Sequence, residues 1–286
     1  MTTRANHPAG APCWVDLSTS DAGGARRFYT SVFGWEAEDP NPEFGGYFYF
    51  TRRGARTAGC MAAMPTAGAD IWSVYLDVED AEQTLEAVAA HGGQVVVPAM
   101  AVGDLGVMAV VVDPGGAAIG LWQPRSFAGF AVTGEHAAPG WFELHTRDYD
   151  AVLRFYTTVF GWQIATVGDD PRFRDTAVLD PRGDGRLAGV MDAAAALPEG
   201  APAHWSVYFW VDDADDAAAA VEAAGGSVSM APVDTPYGRL ATAADAQGRP
   251  SGSWRPTRPY PLPPEARPPC AAGPGGPPGR TGGGRP

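Results

Sequence analysis

A glutamate and a histidine two positions apart, Glu143 and His145, are the side chains in this sequence best suited to moving protons. The segment that carries them, from Trp141 to His145, alternates as a β-strand does, so both side chains project from one face. A carboxylate beside an imidazole can act as general base and general acid on one substrate, and burial would raise the pKa of the carboxylate toward neutrality. The alternative is a structural pair, with Glu143 bonded to the backbone or to an arginine and His145 exposed at the strand end.

The strand that carries this pair belongs to an internal repeat. Residues 27–35, Arg-Phe-Tyr-Thr-Ser-Val-Phe-Gly-Trp, return as residues 154–162, Arg-Phe-Tyr-Thr-Thr-Val-Phe-Gly-Trp, at an offset of 127 positions. Two further pairs of segments match in the same order: Trp14-Val-Asp-Leu with Trp141-Phe-Glu-Leu, and Trp72-Ser-Val-Tyr with Trp205-Ser-Val-Tyr. Solenoid repeats are about 20–45 residues long, so a repeat of this length indicates one module made twice.

Each copy is predicted to run strand, helix and three strands, twice over. In the first copy Trp14 to Ser18 alternates as a strand. Ser20 or Asp21 then caps a helix that ends at Gly34. The second cycle begins with a strand at Ile71. The predicted fold class is therefore α+β, built from tandem βαβββ units.

Composition sets the predicted boundaries. They are a flexible N-terminus (1–11), module one (12–126), a linker (127–139), module two (140–254) and a tail rich in proline, glycine and arginine (255–286). A segment of that last composition buries too little apolar surface to offset its ordering entropy, so the tail is predicted to be disordered.

The motifs Asp21…Arg27-Phe-Tyr…Phe-Gly-Trp35, Val74-Tyr-Leu-Asp-Val-Glu-Asp80 and Asp113-Pro-Gly-Gly resemble those of the vicinal oxygen chelate superfamily. This superfamily includes glyoxalase I, bleomycin-resistance proteins, fosfomycin-resistance enzymes and extradiol dioxygenases, and the chain resembles its two-module actinobacterial group over about residues 12–254. The resemblance implies that the two βαβββ units of each module curve into a cup that encloses a small ligand; we call these cup one and cup two. It indicates the fold more than the reaction, because the superfamily hosts isomerases, oxygenases, transferases and binding proteins.

Enzymes of that superfamily hold one divalent metal through His or Glu side chains on the first, fifth and eighth strands of a cup. The corresponding positions here are Trp14, Ser73 and Gly120 in module one, and Trp141, Ser206 and Gly252 in module two. None of them offers the imidazole or carboxylate that such a site needs. We therefore expect no metal and no other cofactor. A non-classical metal held by Glu143, His145 and His204 is the alternative.

Strand alternation gives the side chains that the resemblance directs into the cups. The predicted substrate-binding residues are Trp14, Asp16, Ser73, Tyr75 and Trp122 in module one, and Trp141, His204, Ser206, Tyr208 and Trp210 in module two. Aromatic side chains dominate both sets, which favours a flat, apolar or aromatic ligand. Because module one has Asp16 and Ser18 where module two has Glu143 and His145, module two is the predicted active site.

Charge and composition exclude several classes of partner. The chain has 33 acidic and 20 basic residues, a net charge of −13, which argues against binding to nucleic acid or to an anionic membrane. No apolar stretch approaches the roughly 20 residues of a bilayer span, and residues 1–10 lack the apolar core of a signal peptide. The three cysteines are widely spaced and form no CxxC pattern, so a disulfide framework is not expected. These features predict a cytoplasmic protein.

The predicted function is small-molecule binding by a metal-independent lyase, isomerase or tailoring enzyme that acts on a carbonyl or aromatic metabolite. Glu143 and His145 are its predicted catalytic residues. The alternative is a non-catalytic protein that sequesters a drug or metabolite by enclosure, which the missing metal ligands favour. The two modules are expected to pair within the chain, as a monomer or a homodimer, in place of the dimer of single-module relatives.

Overall fold

Each half of the chain forms one eight-stranded sheet with two helices. The computed structural model describes residues 7–63, 71–170, 173–183, 185–235, 238–246 and 250–256. The first half contains β1 (Pro12–Thr19), α1 (Ala22–Phe33), β2 (Glu36–Ala37), β3 (Phe48–Arg52), β4 (Ala55–Ala62), β5 (Ile71–Asp77), α2 (Ala81–Ala90), β6 (Gln94–Val102), β7 (Gly106–Val112) and β8 (Ala118–Pro124). The second half contains β9 (Ala138–Thr146), α3 (Tyr149–Val159), β10 (Ile164–Asp170), β11 (Phe173–Leu179), β12 (Arg186–Asp192), β13 (His204–Val211), α4 (Ala214–Ala223), β14 (Ser227–Thr235), β15 (Gly238–Ala244) and β16 (Pro250–Pro256).

The two sheets have the same topology. Their strand orders are β2-β3-β4-β1-β5-β8-β7-β6 and β10-β11-β12-β9-β13-β16-β15-β14. In both, the first strand pairs in parallel with the fourth and antiparallel with the fifth, which places Asp16 beside Gly59 and Glu143 beside Gly189. The α+β class and the tandem βαβββ order predicted from the sequence are thus confirmed.

The first helix begins and ends where capping residues predict. The Asp21 carboxylate accepts a hydrogen bond of 2.7 Å from the amide of Gly24, at the start of α1. Gly34 ends α1 with a φ of 66°, a conformation that glycine adopts without strain, and its amide donates to the Thr30 carbonyl. The stretch after α1 was not predicted in detail: it forms β2 and a short 3-10 helix, Pro42–Phe44.

The two modules pack through equivalent contacts, so they pair within the chain. The indole Nε1 of Trp35 donates to the Ala137 carbonyl at 2.7 Å, and that of Trp162 donates to the Gly10 carbonyl at 2.7 Å. Each bond joins a Phe-Gly-Trp motif of one module to the segment before the first strand of the other. Phe209 of module two also lies 5.4 Å from the Trp35 ring.

The boundary segments carry structure of their own. Strand β9 begins at Ala138, inside the predicted linker, and β16 reaches Pro256, two residues into the predicted tail. Residues 257–286 lie outside the described residues. No helix in the described part of the chain is long and apolar enough to cross a membrane.

Candidate functional site

Cup two brings the predicted proton-transfer pair together. In the antiparallel ladder of β9 and β13, Glu143 lies opposite Ser206 and His145 lies opposite His204. The Nε2 atom of His145 is 3.4 Å from the Oε2 atom of Glu143, and each side chain is 16% exposed. The pair is therefore in contact and largely, though not fully, shielded from bulk water.

Two further side chains hold the Glu143 carboxylate in place. The Tyr208 hydroxyl donates to Oε2 at 2.7 Å, and the Trp141 indole Nε1 donates to Oε1 at 3.3 Å. The sequence predicted both residues as substrate-binding groups. Their place in the cup makes them partners of the carboxylate as well, so each oxygen of Glu143 has a donor before any ligand arrives.

The surroundings of His145 favour its neutral form. Burial lowers the pKa of His145, the Glu143 carboxylate raises it, and His204 lowers it again, with burial the largest effect. The His204 ring stacks on the His145 ring at 5.2 Å and 19°. Its Nδ1 lies 3.1 Å from the Pro202 carbonyl, which can only accept, so this nitrogen carries a proton.

Trp210 lies at the other end of cup two. Its indole packs over Gly140, where a Cβ would overlap the ring, so this position of β9 requires glycine. The indole Nε1 is buried and has no hydrogen-bond partner within the described ranges. Ser206, between the two ends, is half-buried.

Cup one contains the same kind of carboxylate in a more enclosed setting. The Trp14 indole Nε1 donates to the Tyr47 hydroxyl at 2.9 Å, and that hydroxyl is 3.5 Å from Oδ2 of Asp16. Burial raises the pKa of Asp16 to about 7, opposed by hydrogen bonds from Tyr75 and Tyr47. Trp14, Asp16 and Tyr75 thus occupy the positions in cup one that Trp141, Glu143 and Tyr208 occupy in cup two.

Aromatic rings of the chain itself fill cup one. The Phe127 ring, from the predicted linker, lies 4.9 Å from Trp14, 5.5 Å from Tyr49 and 5.9 Å from Trp122. Three glycines make room for the packed rings, since an added Cβ would overlap them: Gly59 faces Tyr47, Gly106 faces Trp122 and Gly120 faces Tyr75. Trp14, Asp16, Tyr75 and Trp122 are buried in this cluster, whereas Ser73 at its edge is half-buried.

Three residues of cup one, Tyr47, Tyr49 and Phe127, were not among the sequence candidates. Tyr47 is the first residue of the run Tyr-Phe-Tyr-Phe, residues 47–50, whose composition favours a strand, and its two-residue spacing from Tyr49 could have placed both rings on the cup face. Phe127 had no such signal, because a linker has no periodicity that directs a side chain.

The classical metal positions do not fit a divalent cation. Indole, hydroxyl and glycine groups supply no imidazole or carboxylate ligand, and a glutamate at Gly120 would collide with the Tyr75 ring. Across the described ranges, no group of three His, Cys, Asp or Glu side chains is arranged to hold a metal. For the alternative set of Glu143, His145 and His204, the two imidazoles meet face to face rather than through converging nitrogens.

Comparison with protein families supports the assignment of the fold. The model of the Glyoxalase/Bleomycin resistance protein/Dioxygenase superfamily matches the chain twice, over residues 6–121 and 138–250. The two matches correspond to the two eight-stranded sheets.

Known relatives and solved structures match nearly the whole chain. "Putative glyoxylase CFP32" from Mycobacterium tuberculosis is 39% identical, covering 87% of this chain and 95% of its own. "Anthracycline biosynthesis protein DauV" from Streptomyces sp. (strain C5) is 34% identical, with coverages of 84% and 90%. The Mn(II)-bound glyoxalase from Novosphingobium aromaticivorans superposes with a TM-score of 0.60 at 15% identity, covering 89% of this chain and 84% of that one. The 2,3-dioxygenase LapB from Pseudomonas sp. KL28 gives 0.63 at 16%, with coverages of 91% and 96%.

Proposed function

Because the chain belongs to the Glyoxalase/Bleomycin resistance protein/Dioxygenase superfamily, we propose that cup two is the active site of an enzyme that moves a proton on a small carbonyl or aromatic metabolite. The observation that carries the proposal is the contact between His145 Nε2 and Glu143 Oε2 at 3.4 Å, with each side chain 16% exposed. The reaction class is a lyase, isomerase or tailoring step.

The proposal gives a role to each member of the pair. A carboxylate oxygen can only accept, so the Nε2 of a neutral His145 carries the proton that faces Glu143. The lone pair on Nδ1 then acts as the general base, and it takes a proton from a C–H next to a carbonyl or from a phenol. Glu143 stabilises the imidazolium that forms. In an isomerisation, His145 returns the proton to a neighbouring atom of the substrate, so no oxidant or reductant is consumed.

Tyr208 and Trp141 act through Glu143. Their hydrogen bonds fix the carboxylate before substrate binds, so little reorganisation is needed when charge develops on His145. The aromatic groups around the pair favour a substrate with a flat or conjugated part.

The relatives support the substrate class. One is named for a glyoxylase and another for anthracycline biosynthesis, and both names fit a metabolite with carbonyl or aromatic groups. We propose that the step proceeds without a divalent metal, because the side chains of the cup do not form a metal-ligand set.

A solvent-exchange assay tests the proposal without a known product. The full-length protein is incubated in D₂O with a panel of α-hydroxy ketones, aryl ketones and phenols, and C–H exchange is followed by NMR. Glu143→Gln and His145→Ala should each lower the exchange rate by about 10²-fold or more. Ser18→Ala, at the position of module one equivalent to His145, serves as the control and should leave the rate unchanged.

Two results would overturn parts of this proposal. Exchange that survives both substitutions would remove the catalytic pair. Exchange that is lost on treatment with a chelator and restored by a divalent metal would remove the metal-independent step while leaving the site in place.

Sequestration by cup two is the second candidate function. The Asp16 carboxylate of cup one is held by tyrosines in the same way as Glu143 but has no histidine beside it, which favours a structural origin for the recurring acid. In that case aromatic compounds would bind cup two with no exchange in D₂O, and Glu143→Gln would change only the affinity.

A further inference from the structure

We infer that Arg147 is a positioning residue for cup two: it fixes the connection between β12 and β13, and this connection holds His204 against His145. The inference deepens the proposed function, and its consequence for catalysis rests on that function. The proposed reaction makes no use of Arg147, which is exposed just beyond the end of β9.

The connection, residues 193–203, crosses the end of β9 at which the proton-transfer pair lies; we call it the crossing segment. In the sheet, β9 stands between β12 and β13. Strand β12 runs parallel to β9 and β13 runs antiparallel to it, so the chain leaves β12 and enters β13 at the carboxyl end of β9. The amide of Ala193 donates to the Thr146 carbonyl at 2.8 Å. The crossing segment therefore starts beside His145 and ends at His204.

The Arg147 guanidinium binds three backbone carbonyls of the crossing segment. Its Nη2 donates to those of Leu197 and Pro198 at 3.0 and 2.7 Å, and its Nη1 donates to that of Ala201. A guanidinium presents its N–H donors in a rigid planar fork. One side chain thus sets the relative positions of all three carbonyls.

The hold on Ala201 reaches His204 through a short, stiff stretch of chain. Only φ and ψ of Pro202 separate the Ala201 carbonyl from the Pro202 carbonyl, because the peptide bond is planar, and the proline ring locks φ. The Pro202 carbonyl accepts a hydrogen bond from Nδ1 of His204 at 3.1 Å, and the His204 ring stacks on that of His145 at 5.2 Å. The contacts of Arg147 therefore fix the orientation of the ring that packs on the proposed base.

The proton affinity of His145 depends on this ring. In the described part of the chain, the titratable groups that face His145 are Glu143 on its own strand and His204 on β13, while Met191 lies opposite it on β12. Burial lowers the pKa of His145, Glu143 raises it and His204 lowers it. A His204 ring that turned away would admit water and remove the repulsion, and both effects raise the pKa of His145.

Module one differs in both parts of this arrangement. Ser20 stands at the position equivalent to Arg147. Gly59 and Gly189 pair with equivalent residues of the two first strands. From these glycines to the Trp-Ser-Val-Tyr segments there are 13 positions in module one and 16 in module two, so the connection is longer in module two. The arginine and the longer connection thus occur together, in the module that carries the proton-transfer pair.

NMR of the full-length protein, labelled with ¹⁵N in its histidine rings, tests the inference without relying on catalysis. The ring nitrogen shifts report which nitrogen carries the proton, and neutral His204 of the wild type should be protonated on Nδ1. Arg147→Met should move about half of this population or more to the form protonated on Nε2, because the Pro202 carbonyl no longer holds Nδ1.

The same pH titration measures the pKa of His145. This pKa should rise in Arg147→Met, in the direction expected for His204→Ala. In the double variant, Arg147→Met should add no further rise to that of His204→Ala, because the effect of Arg147 passes through His204.

Three further variants separate position from charge. Arg147→Lys keeps the positive charge but lacks the planar fork, so it should resemble Arg147→Met. Pro202→Gly frees the stretch that leads to His204 and should shift the tautomer in the same direction while Arg147 stays in place, which keeps the test valid if Arg147→Met misfolds. Arg154→Met removes an exposed arginine from α3 and is the matched control; it should leave both readings unchanged.

The exchange assay in D₂O adds the consequence for catalysis. In Arg147→Met the fall of kcat/KM toward low pH should begin at higher pH than in the wild type, whereas a general loss of folded protein would lower the rate equally at every pH. A wild type without exchange would overturn the proposed function, and the NMR readings would still decide the inference. Wild-type tautomer and pKa in Arg147→Met would overturn the inference, and wild-type readings in Arg147→Lys would replace positioning by a direct effect of charge.

Discussion

The hydroxyl of Tyr156, in module two, donates a hydrogen bond of 3.1 Å to Oδ2 of Asp113, in module one. Asp113 is 3% exposed, and its Oδ1 accepts from the amides of Gly115 and Ala117. Burial raises the pKa of Asp113, and these hydrogen bonds oppose the rise. The Phe-Tyr and Asp-Pro-Gly-Gly motifs of the repeat therefore meet across the module interface, so at least part of their role is to join the modules.

Tyr156→Phe should lower the free energy of unfolding by about 1–3 kcal/mol, because it removes the donor to a buried carboxylate and the acceptor of the Trp205 indole N–H at 3.2 Å. Urea unfolding followed by far-UV circular dichroism measures the change. Tyr49→Phe is the matched control, since the described part of the chain contains no hydrogen bond to that hydroxyl, and a change below about 0.5 kcal/mol is expected. Equal effects of the two substitutions would contradict a specific role for the Tyr156 hydroxyl at the interface.

Gly120→Ala should destabilise module one by about 2 kcal/mol or more, because the new methyl group would overlap the Tyr75 ring in a filled cup. Gly23→Ala is the control. Gly23 lies in α1, where a Cβ would come no closer than 3.5 Å to a neighbour, so alanine should stabilise the helix by about 0.5–1 kcal/mol. Thermal unfolding should show a lower midpoint temperature for Gly120→Ala and a higher one for Gly23→Ala. An unchanged midpoint in Gly120→Ala would mean that cup one has space for the added methyl group.

Asp16 should make the protein less stable as the pH rises. Its pKa is about 7 in the fold and 3.8 in a model peptide, so the folded state binds the proton more tightly. Its contribution to stability is complete below pH 3.8, falls between about pH 4 and 7, and is lost above that range. The difference amounts to about 4 kcal/mol at most.

Asp16→Asn should therefore be more stable than the wild type at pH 8, with the gap closing toward pH 4. Urea titrations at several pH values measure it. Asp39→Asn removes the same charge from the surface and should show no such trend. An Asp16→Asn curve that runs parallel to the wild type across this range would disprove the assignment.

The pKa of His145 should set the acid limb of the pH–rate profile of the proposed exchange reaction, which is the fall in rate toward low pH. Its pKa lies below the ordinary 6.5 because burial outweighs the attraction of Glu143, so the base stays neutral below pH 6.5 and the rate should fall only at lower pH. His204→Ala removes a repulsive neighbour and should move the limb to higher pH. Glu143→Gln should move the limb of its residual activity to lower pH. Shifts in the opposite directions, measured as kcat/KM against pH, would refute this account.

The fold could be predicted from the sequence because its helix and strand signals are local and occur in both copies of the repeat. Capping acids such as Asp21 mark helix starts. The motif of residues 27–35 returns 127 residues later, so the same order of elements could be predicted for both modules. The pair of Glu143 and His145 was predicted on one face because strand alternation alone decides it.

Whether each cup is filled by side chains of the protein itself could not be predicted in the same way. Whether Trp14 faces a ligand or another ring depends on the register between strands and on Phe127, which lies 113 residues away in the sequence. The hydrogen bond from Tyr208 to Glu143 likewise depends on the pairing of β13 with β9. Such long-range pairings leave no periodic trace in one sequence. The catalytic and binding roles of the predicted residues stay predictions.

Phe127 gives the segment between the modules a second role. The ring that fills cup one comes from the segment that connects the modules, so the first module is complete only with residues that follow its last strand. A gene fusion or circular permutation that cuts the chain before Phe127 would remove a wall of the first module rather than a spacer. After the duplication, one copy thus came to be filled by its own connecting segment.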